Sequence, residues 1–182
     1  MRIKKLKHPT IFKSEIEKIV RFQKGIKSNG YRPWLTVRNS NTHGQGQIIH
    51  SHLTDREHHL LSRGELKAFL YLERQSSSFN ILEQIPLDIY ETMAIAIEMG
   101  IMHPGAYKER HKYNGVIPAK TMSTDFLHVT TDRNGFICKK AYNFKYTSSL
   151  DKNEKSPQSI KRTKDKMKIE AEYWRRKGID RV

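Results

Sequence analysis

Three polar residues in two neighbouring segments have the types and spacing of a site for metal-assisted hydrolysis. Asp125 lies within Met122–Thr130, and Asn143 and Lys145 lie within Phe136–Tyr146. Both segments are rich in β-branched and aromatic residues, which predicts two strands of a hairpin. Asp and Lys are poor strand formers, and burying either charge is costly unless it is paired or bound to a metal. Their presence in such strands therefore indicates a specific role.

The length of the hairpin loop decides whether these side chains meet. A three-residue loop, Arg133–Gly135, pairs residues whose numbers sum to 268 and puts Asp125 opposite Asn143. Gly135 in a left-handed conformation suits such a loop. A two- or four-residue loop would shift the pairing by one residue and place the side chains on opposite faces.

An acidic residue on one strand and an Asn-x-Lys sequence on the next form a pattern found in metal-dependent nucleases. A carboxylate binds a hard cation such as Mg²⁺ through oxygen, and the cation generates hydroxide and stabilises charge on phosphorus. A lysine orients or deprotonates water and contacts the phosphate. A second carboxylate is needed, and Glu65, on a helix after His58-His59, is the candidate.

Purely structural interpretations of the same residues remain open. Ser62-Arg63-Gly64-Glu65 also has the spacing of a capping box, in which Glu65 would only close the start of a helix. Asp125 and Lys145 would equally form a simple cross-strand ion pair.

The remaining pattern predicts mixed helices and strands, and thus an α/β fold. Ser14 and Glu17 have capping-box spacing, and apolar residues at 3–4 spacing predict that Leu66, Phe69 and Leu70 face inward. The first predicted helix starts at Ser14 and stops before Ser28, and the other three cover Leu60–Arg74, Asp88–Met99 and Ile160–Lys177. Further strands are expected over Gln47–Leu53 and Phe79–Ile85.

Composition restricts the class of partner. Among 182 residues, 34 are Lys or Arg and 19 are Asp or Glu, which gives a formal charge of +15. Such a surplus favours a polyanion, and above all nucleic acid, over the alternatives of a merely soluble basic protein or an anionic membrane surface. Cys138 is the only cysteine, so neither an intrachain disulfide nor a zinc site with two thiolates is possible.

No apolar run approaches the length of a membrane span, and the basic start is not followed by an apolar stretch, so we expect a cytoplasmic protein. Residues 1–10 are interpreted as a basic arm before a domain over residues 11–182. Residues whose charge or position suits contact with DNA are Lys4, Lys5, Lys7, His58, His59, Lys161 and Arg162.

Six motifs occur in an order that resembles the N-terminal catalytic domain of the TnsA family of transposon endonucleases. They are YRPWLTV, HHLLSRGEL, LEQIPL, EMGIMHP, MSTDFL and EAEYWRRKGI. The resemblance covers roughly Gln23 to Ile179. It implies a restriction-endonuclease-like fold, in which a mixed sheet is flanked by helices and carries a Mg²⁺-dependent site, where Mn²⁺ would substitute.

The resemblance also assigns roles to individual residues. Glu65 and Asp125 match the family's acidic metal ligands, Lys145 matches its catalytic lysine, and the backbone carbonyl of Phe144 would be a further ligand. Asn143 stands where the family has glutamine. It keeps the amide group but is one methylene shorter.

The implied function is hydrolysis of the 5′, non-transferred strands at transposon ends, as a subunit of a heteromeric cut-and-paste transposase. The implied partner is a TnsB-type integrase-like transposase, which would cut and join the 3′ ends. The family normally continues into a helical C-terminal domain that binds an ATPase regulator, and this sequence stops at Val182, so regulator binding is in doubt. A stand-alone restriction or repair nuclease and an inactive DNA-binding scaffold are the alternatives.

Overall fold

The computed structural model describes residues 6–40 and 45–182, without the side chains of residues 148 and 149. The chain folds into two compact units, each built from three separate stretches. The first unit comprises Met1–Gly30, Leu87–Met122 and Leu150–Tyr173, and the second comprises Tyr31–Pro86, Ser123–Ser149 and Trp174–Val182.

Helices and strands alternate irregularly along the chain. The helices are α1 (Lys13–Asn29), α2 (Arg63–Glu73), α3 (Ile89–Glu98) and α4 (Pro157–Arg176), with short 3-10 helices at Tyr107–Tyr113 and Thr147–Leu150. The strands are β1 (Gln47–Ser51), β2 (Arg56–Leu60), β3 (Ser78–Pro86), β4 (Ser123–Thr131), β5 (Ile137–Tyr142) and β6 (Asp180–Arg181). The expected α/β class is confirmed.

The second unit is built on a mixed four-stranded sheet with the order β3-β4-β5-β6. β4 is antiparallel to both β3 and β5, whereas the two-residue β6 pairs parallel to β5. Strands β1 and β2 form a separate antiparallel pair. One face of the sheet packs against α2 in a core of Leu60, Phe69, Leu72, Ile81 and Phe126. This packing fixes the height of α2 over the sheet.

The β4–β5 hairpin has the register that a three-residue loop requires. Phe126 pairs with Tyr142, Leu127 with Ala141, and so on along the ladder, so the numbers of paired residues sum to 268. Asp132 and Phe136 close the loop, and Gly135 has a φ of 81°. A residue with a side chain is strained in that left-handed region, which explains the glycine.

The first unit is held together around α3. Asp88 caps this helix by accepting hydrogen bonds from the backbone N–H groups of Tyr90 and Glu91, and Gly100 ends it with a φ of 63°. Ile89, Met93 and Ala119 form the core, against which the apolar side of α1 packs. Asp88–Met99 was therefore predicted correctly, including both helix ends.

Three local predictions were wrong, in addition to the end of α1, which lies at Asn29 instead of before Ser28, and the start of α2, which lies at Arg63 instead of Leu60. The capping box of Ser14 and Glu17 does not form, because α1 starts at Lys13 after Phe12. Its first turn is instead anchored by the buried Glu15, which accepts hydrogen bonds from the backbone and side chain of Thr121. Leu70 is 42% exposed, and Leu72 takes its place in the core.

The third error concerns the end of the second hairpin strand. β5 stops at Tyr142, so Asn143 and Lys145 lie in the segment that follows the strand rather than within it.

Among the described residues, no helix is both long enough and apolar enough to cross a membrane.

Candidate active site

Glu65 is placed at the start of α2 by hydrogen bonds of its own carboxylate. Ser62 is the N-cap, and its Oγ accepts from the backbone N–H of Glu65 at 3.1 Å. In return, the carboxylate accepts from the backbone N–H of Leu61 at 3.0 Å and from Ser62 Oγ at 3.2 Å. The capping role that the sequence left open is therefore present. It also orients this carboxylate, which is only 8% exposed.

Asp125 lies near the start of β4 and holds the segment that follows β5. Its Oδ2 accepts a hydrogen bond from the backbone N–H of Phe144 at 2.7 Å. Asp125 comes directly before Phe126 and Asn143 directly after Tyr142, and Phe126 and Tyr142 are the last pair of the β4–β5 ladder. The side chain of Asp125 is buried, with the residue 8% exposed. The hydrogen bond from Phe144 holds the main chain that follows β5 next to the carboxylate of Asp125.

Lys145 extends from the same segment towards Asp125. Its Nζ lies 3.4 Å from Asp125 Oδ2 and donates a hydrogen bond to the backbone carbonyl of Phe144 at 2.9 Å. The ion pair that the sequence left open is thus formed. It holds the ammonium group beside a carboxylate and a main-chain oxygen, where it is able to contact a phosphate.

Glu65 and Asp125 influence each other electrostatically. Burial raises the pKa of Glu65 above its ordinary value, and the negative charge of Asp125 raises it further, while hydrogen bonds from Leu61, Ser62 and Gln84 lower it in part. Two carboxylates that share a buried site repel each other, and a cation between them relieves this repulsion. The arrangement is therefore electrostatically suited to a cation.

The donor set at this position fits a hard divalent cation. Glu65 and Asp125 supply carboxylate oxygens, and the carbonyl of Phe144 supplies a main-chain oxygen. Among the described residues, no three His, Cys, Asp or Glu side chains are grouped so that they would hold a metal ion by themselves. Mg²⁺ needs fewer protein ligands, because it usually keeps several waters and binds one or two carboxylates.

Gln84 is a component of the site that the sequence reasoning missed. Its amide links three elements, since Nε2 donates to Glu65 Oε2 at 3.3 Å and Oε1 accepts from Ser123 Oγ at 3.0 Å. Gln84 is 2% exposed and has a φ of 50°. A non-glycine residue in this region is strained, and such residues concentrate at functional sites. The sequence gives no signal that singles Gln84 out, because β3 also contains Ser78, Asn80 and Glu83.

Gly64 and Tyr146 were missed as well. The backbone N–H of Gly64 donates to the hydroxyl of Tyr146 at 3.0 Å, so the segment with Lys145 closes the start of α2. A Cβ on Gly64 would lie 1.9 Å from Cε1 of Phe144, which leaves glycine as the residue that fits. The sequence offers no local signal for this contact, because Gly64 and Phe144 are 80 positions apart.

The structure gives a mixed result for the residues expected to contact DNA. Lys4 and Lys5 lie outside the described residues, and Lys7 is exposed. Lys161 pairs with Asp165 at 3.1 Å, and the guanidinium of Arg162 lies over the ring of Tyr107, 5.2 Å from its centroid. For Lys7, Lys161 and Arg162, contact with DNA stays a prediction.

His58 does not lie on the surface, and this corrects the sequence interpretation. It is fully buried in a cluster with Arg56 and Glu83, which we call the Glu83 cluster. Its Nδ1 lies 2.8 Å from Glu83 Oε2, and its Nε2 lies 2.6 Å from Thr54 Oγ1, so both ring nitrogens are engaged in the interior. His59 is half-buried, with its Nδ1 3.4 Å from the backbone N–H of Val37.

Burial alone would raise the pKa of Glu83. The hydrogen bonds and the positive charges of His58 and Arg56 reverse this effect and lower the pKa to about 2. The Glu83 cluster therefore ties β2 to β3 at the residue directly before Gln84. Its role in this structure is to support the sheet.

Comparison with known proteins decides the family. The family described as "TnsA-like endonuclease N terminal" matches residues 77–180. The Transposon Tn7 transposition protein TnsA of Escherichia coli is 39% identical over 149 residues, which cover 82% of this chain and 48% of that protein. This chain belongs to the TnsA-like endonuclease family. The resemblance drawn from the six motifs is thereby confirmed.

The TnsA-like match includes Asp125, Asn143 and Lys145, whereas Glu65 lies before its first residue. The chain spans about half the length of the TnsA protein that it matches. The mixed sheet with α2 packed on one face, together with an antiparallel strand pair, is consistent with the restriction-endonuclease-like fold that the resemblance implied.

Proposed function

We propose that this TnsA-like chain hydrolyses phosphodiester bonds of DNA with the aid of Mg²⁺. Glu65, Asp125 and the carbonyl of Phe144 would hold the cation. The observation that supports this most strongly is the convergence of Glu65 and Asp125 in one buried region, with the ammonium of Lys145 3.4 Å from Asp125. Separate stretches of the chain supply these groups. Formation of the sheet does not by itself require them to meet.

The residues of the chain would divide the work as follows. Bound Mg²⁺ supplies a Lewis acid that activates water and offsets the charge that develops on phosphorus. Lys145 would position the attacking water or the phosphate, since its Nζ is already held at the site by Asp125 and Phe144. Asn143, which continues the β4–β5 register to a position across from Asp125, would assist the hydrolysis through its amide.

The similarity to TnsA supports a role in transposition. We propose that the chain is the endonuclease subunit of a heteromeric cut-and-paste transposase. It would cut the 5′, non-transferred strands at the transposon ends in the cytoplasm, while a TnsB-type integrase-like partner cuts and joins the 3′ ends. The formal charge of +15 suits a protein that holds DNA.

A strand-specific cleavage assay tests this proposal. DNA that carries the transposon ends, labelled on the 5′ or the 3′ strand, is incubated with Mg²⁺, the chain and the TnsB-type transposase of the same element. We expect cuts on the 5′ strand, and we expect Asp125→Asn and Lys145→Ala to reduce them by about 10³-fold, the scale typical for loss of a charge-stabilising group. Thermal unfolding checks that both variants are folded.

Matched controls lie on the same hairpin. Asp132→Asn removes one carboxylate in the turn, and Lys139→Ala removes one exposed amine on β5; both are expected to cut normally. Cleavage of naked DNA by the chain alone would instead favour a stand-alone nuclease. Full transposition with Asp125→Asn would favour an inactive scaffold and overturn the proposal.

A further inference from the structure

A groove of about 470 Å³ lies in the second unit beside the candidate active site. Its walls come from the start of α2 and from the segment that follows β5, which are the elements that carry Glu65 and Lys145. The residues that line it are Gln45, Arg63, Gly64, Lys67, Phe144 and Tyr146. Two of these residues are cationic and two are aromatic, and none is acidic.

The positions of Arg63 and Lys67 on α2 are unfavourable for the stability of the helix. Arg63 and Lys67 are four residues apart on α2, so they lie on the same side of the helix, and like charges at this spacing repel. Arg63 is the first residue of α2, where the helix dipole is positive and favours acidic residues. Among the described residues, no acidic side chain forms an ion pair with either cation. Both features indicate that an external anion is the partner.

Two aromatic side chains also line the groove. The rings of Phe144 and Tyr146 meet edge to face, with their centroids 5.1 Å apart. Tyr146 is 45% exposed although its hydroxyl is fixed by the backbone N–H of Gly64. A rigid, partly exposed ring beside cations suits the sugar and base of a nucleotide, because stacking tolerates any sequence.

We propose that this groove binds the DNA strand immediately beside the scissile phosphate. Arg63 and Lys67 pair with backbone phosphates, and the rings of Tyr146 and Phe144 pack against a sugar or base. That the bound phosphate lies beside the one to be cut rests on the function proposed above. In the sequence, Glu65 lies between the two cations and Lys145 lies between the two aromatic residues. The groove itself is independent of that function, and its test measures binding.

The first test is the salt dependence of DNA binding. A fluorescein-labelled duplex of 20 base pairs is titrated with the full chain, and its anisotropy is followed from about 50 to 200 mM salt. Each phosphate contact contributes roughly 0.9 to the slope of log affinity against log salt. The Arg63→Ala/Lys67→Ala variant is expected to lower this slope by about 2 and the affinity at low salt by about tenfold or more.

A control variant carries the same loss of charge. Arg133→Ala/Lys139→Ala removes one exposed arginine and one exposed lysine from the turn and second strand of the hairpin. We expect it to leave both slope and affinity within about twofold of the unchanged chain. Equal losses in the two variants would mean that only overall charge matters, and this result would overturn the groove proposal.

A tethering experiment locates the strand directly. Cys138, the only cysteine, is replaced by serine, and a single cysteine is introduced by Lys67→Cys or, as the control, by Arg133→Cys. DNA that carries a mixed disulfide on one backbone phosphate should exchange with the cysteine thiol at position 67, with release of the small leaving thiol, at least tenfold faster than with the one at position 133. Similar rates would overturn the proposal.

The outcome is separable from that of the cleavage assay. Loss of DNA affinity in the Arg63→Ala/Lys67→Ala variant supports the groove even if Asp125→Asn cuts normally and the proposed hydrolysis is wrong. Conversely, if Asp125→Asn abolishes cleavage but the charge variant binds DNA as the control does, the hydrolysis stands and the groove is refuted.

Discussion

The contact between Gly64 and Phe144 offers a sharp test of how the site is held together. In Gly64→Ala, the new Cβ would lie 1.9, 2.3 and 2.7 Å from Cε1, Cζ and Cδ1 of the Phe144 ring. Carbon atoms pack at 3.5 Å or more, so the ring must retreat by roughly 1.6 Å. That movement displaces the segment with Lys145 from the start of α2, where Glu65 lies.

The expected effect separates activity from stability. Alanine is favoured over glycine within a helix by up to about 1 kcal/mol, so Gly64→Ala should not unfold α2. A displacement of about 1 Å at a catalytic site lowers the rate by about 10²-fold. We therefore expect Gly64→Ala to cut DNA about 10²-fold more slowly, with a melting temperature within a few degrees of the unchanged chain.

A double-mutant cycle with Phe144→Ala supplies the control. Without the ring, the alanine at position 64 meets no obstacle, so Gly64→Ala should cost less than about threefold in the Phe144→Ala background. The difference corresponds to a coupling of about 2 kcal/mol between the two positions. Equal costs in both backgrounds, measured as single-turnover cleavage rates, would refute the steric reasoning.

Three further predictions concern charges and hydrogen bonds in the second unit. Glu83→Gln should lower the free energy of unfolding by about 3 kcal/mol at pH 7. The reason is that the pKa of Glu83 is lowered from 4.5 to about 2 in the folded chain, so the ionised carboxylate stabilises the fold at any pH above 4.5. Urea titrations should show this difference vanish as the pH falls from 4.5 to 2. Glu65→Gln should raise the melting temperature at pH 7, because a raised pKa means that ionised Glu65 destabilises the fold as the pH rises; a lower melting temperature would contradict this. Tyr146→Phe should cost about 1 kcal/mol in urea unfolding by removing the acceptor for Gly64, whereas Tyr71→Phe, at an exposed position, should cost nothing.

Local signals in the sequence predicted the hairpin and α3. Asp132-Arg133-Asn134-Gly135 marked the turn, and of the loop lengths that the sequence left open the observed pairs follow the three-residue one. Asp88 and Gly100 marked both ends of α3, because a cap and a left-handed terminus depend only on residues close in the chain.

Features that depend on distant residues were not predictable. β2 has the polar sequence REHHL, and it forms a strand because His58 and Leu60 are buried. Glu83, 25 positions after His58 and 27 after Arg56, bonds to both side chains. The Ser14 capping box lost to Glu15, whose partner Thr121 lies 106 positions along the chain. Such tertiary contacts override local propensity and leave no trace in a short window.

The same distinction applies to the candidate site. Residue types and motifs identified Glu65, Asp125 and Lys145, since carboxylates and a lysine are what the chemistry requires. Gln84 and Tyr146 contribute through hydrogen bonds to groups at the site, and an amide or a phenol in the sequence does not reveal which group it will meet.

The proposed hydrolysis depends on a divalent cation held by Glu65 and Asp125. Calorimetric titration of the chain with Mn²⁺, paired with DNA cleavage on the same samples, compares the unchanged chain with Asp125→Asn, Glu65→Gln and the control Asp132→Asn. We expect Asp125→Asn and Glu65→Gln to weaken Mn²⁺ binding at least tenfold and to abolish cleavage together, while the control retains both. Binding and cleavage that are undiminished in Asp125→Asn and Glu65→Gln would contradict this expectation.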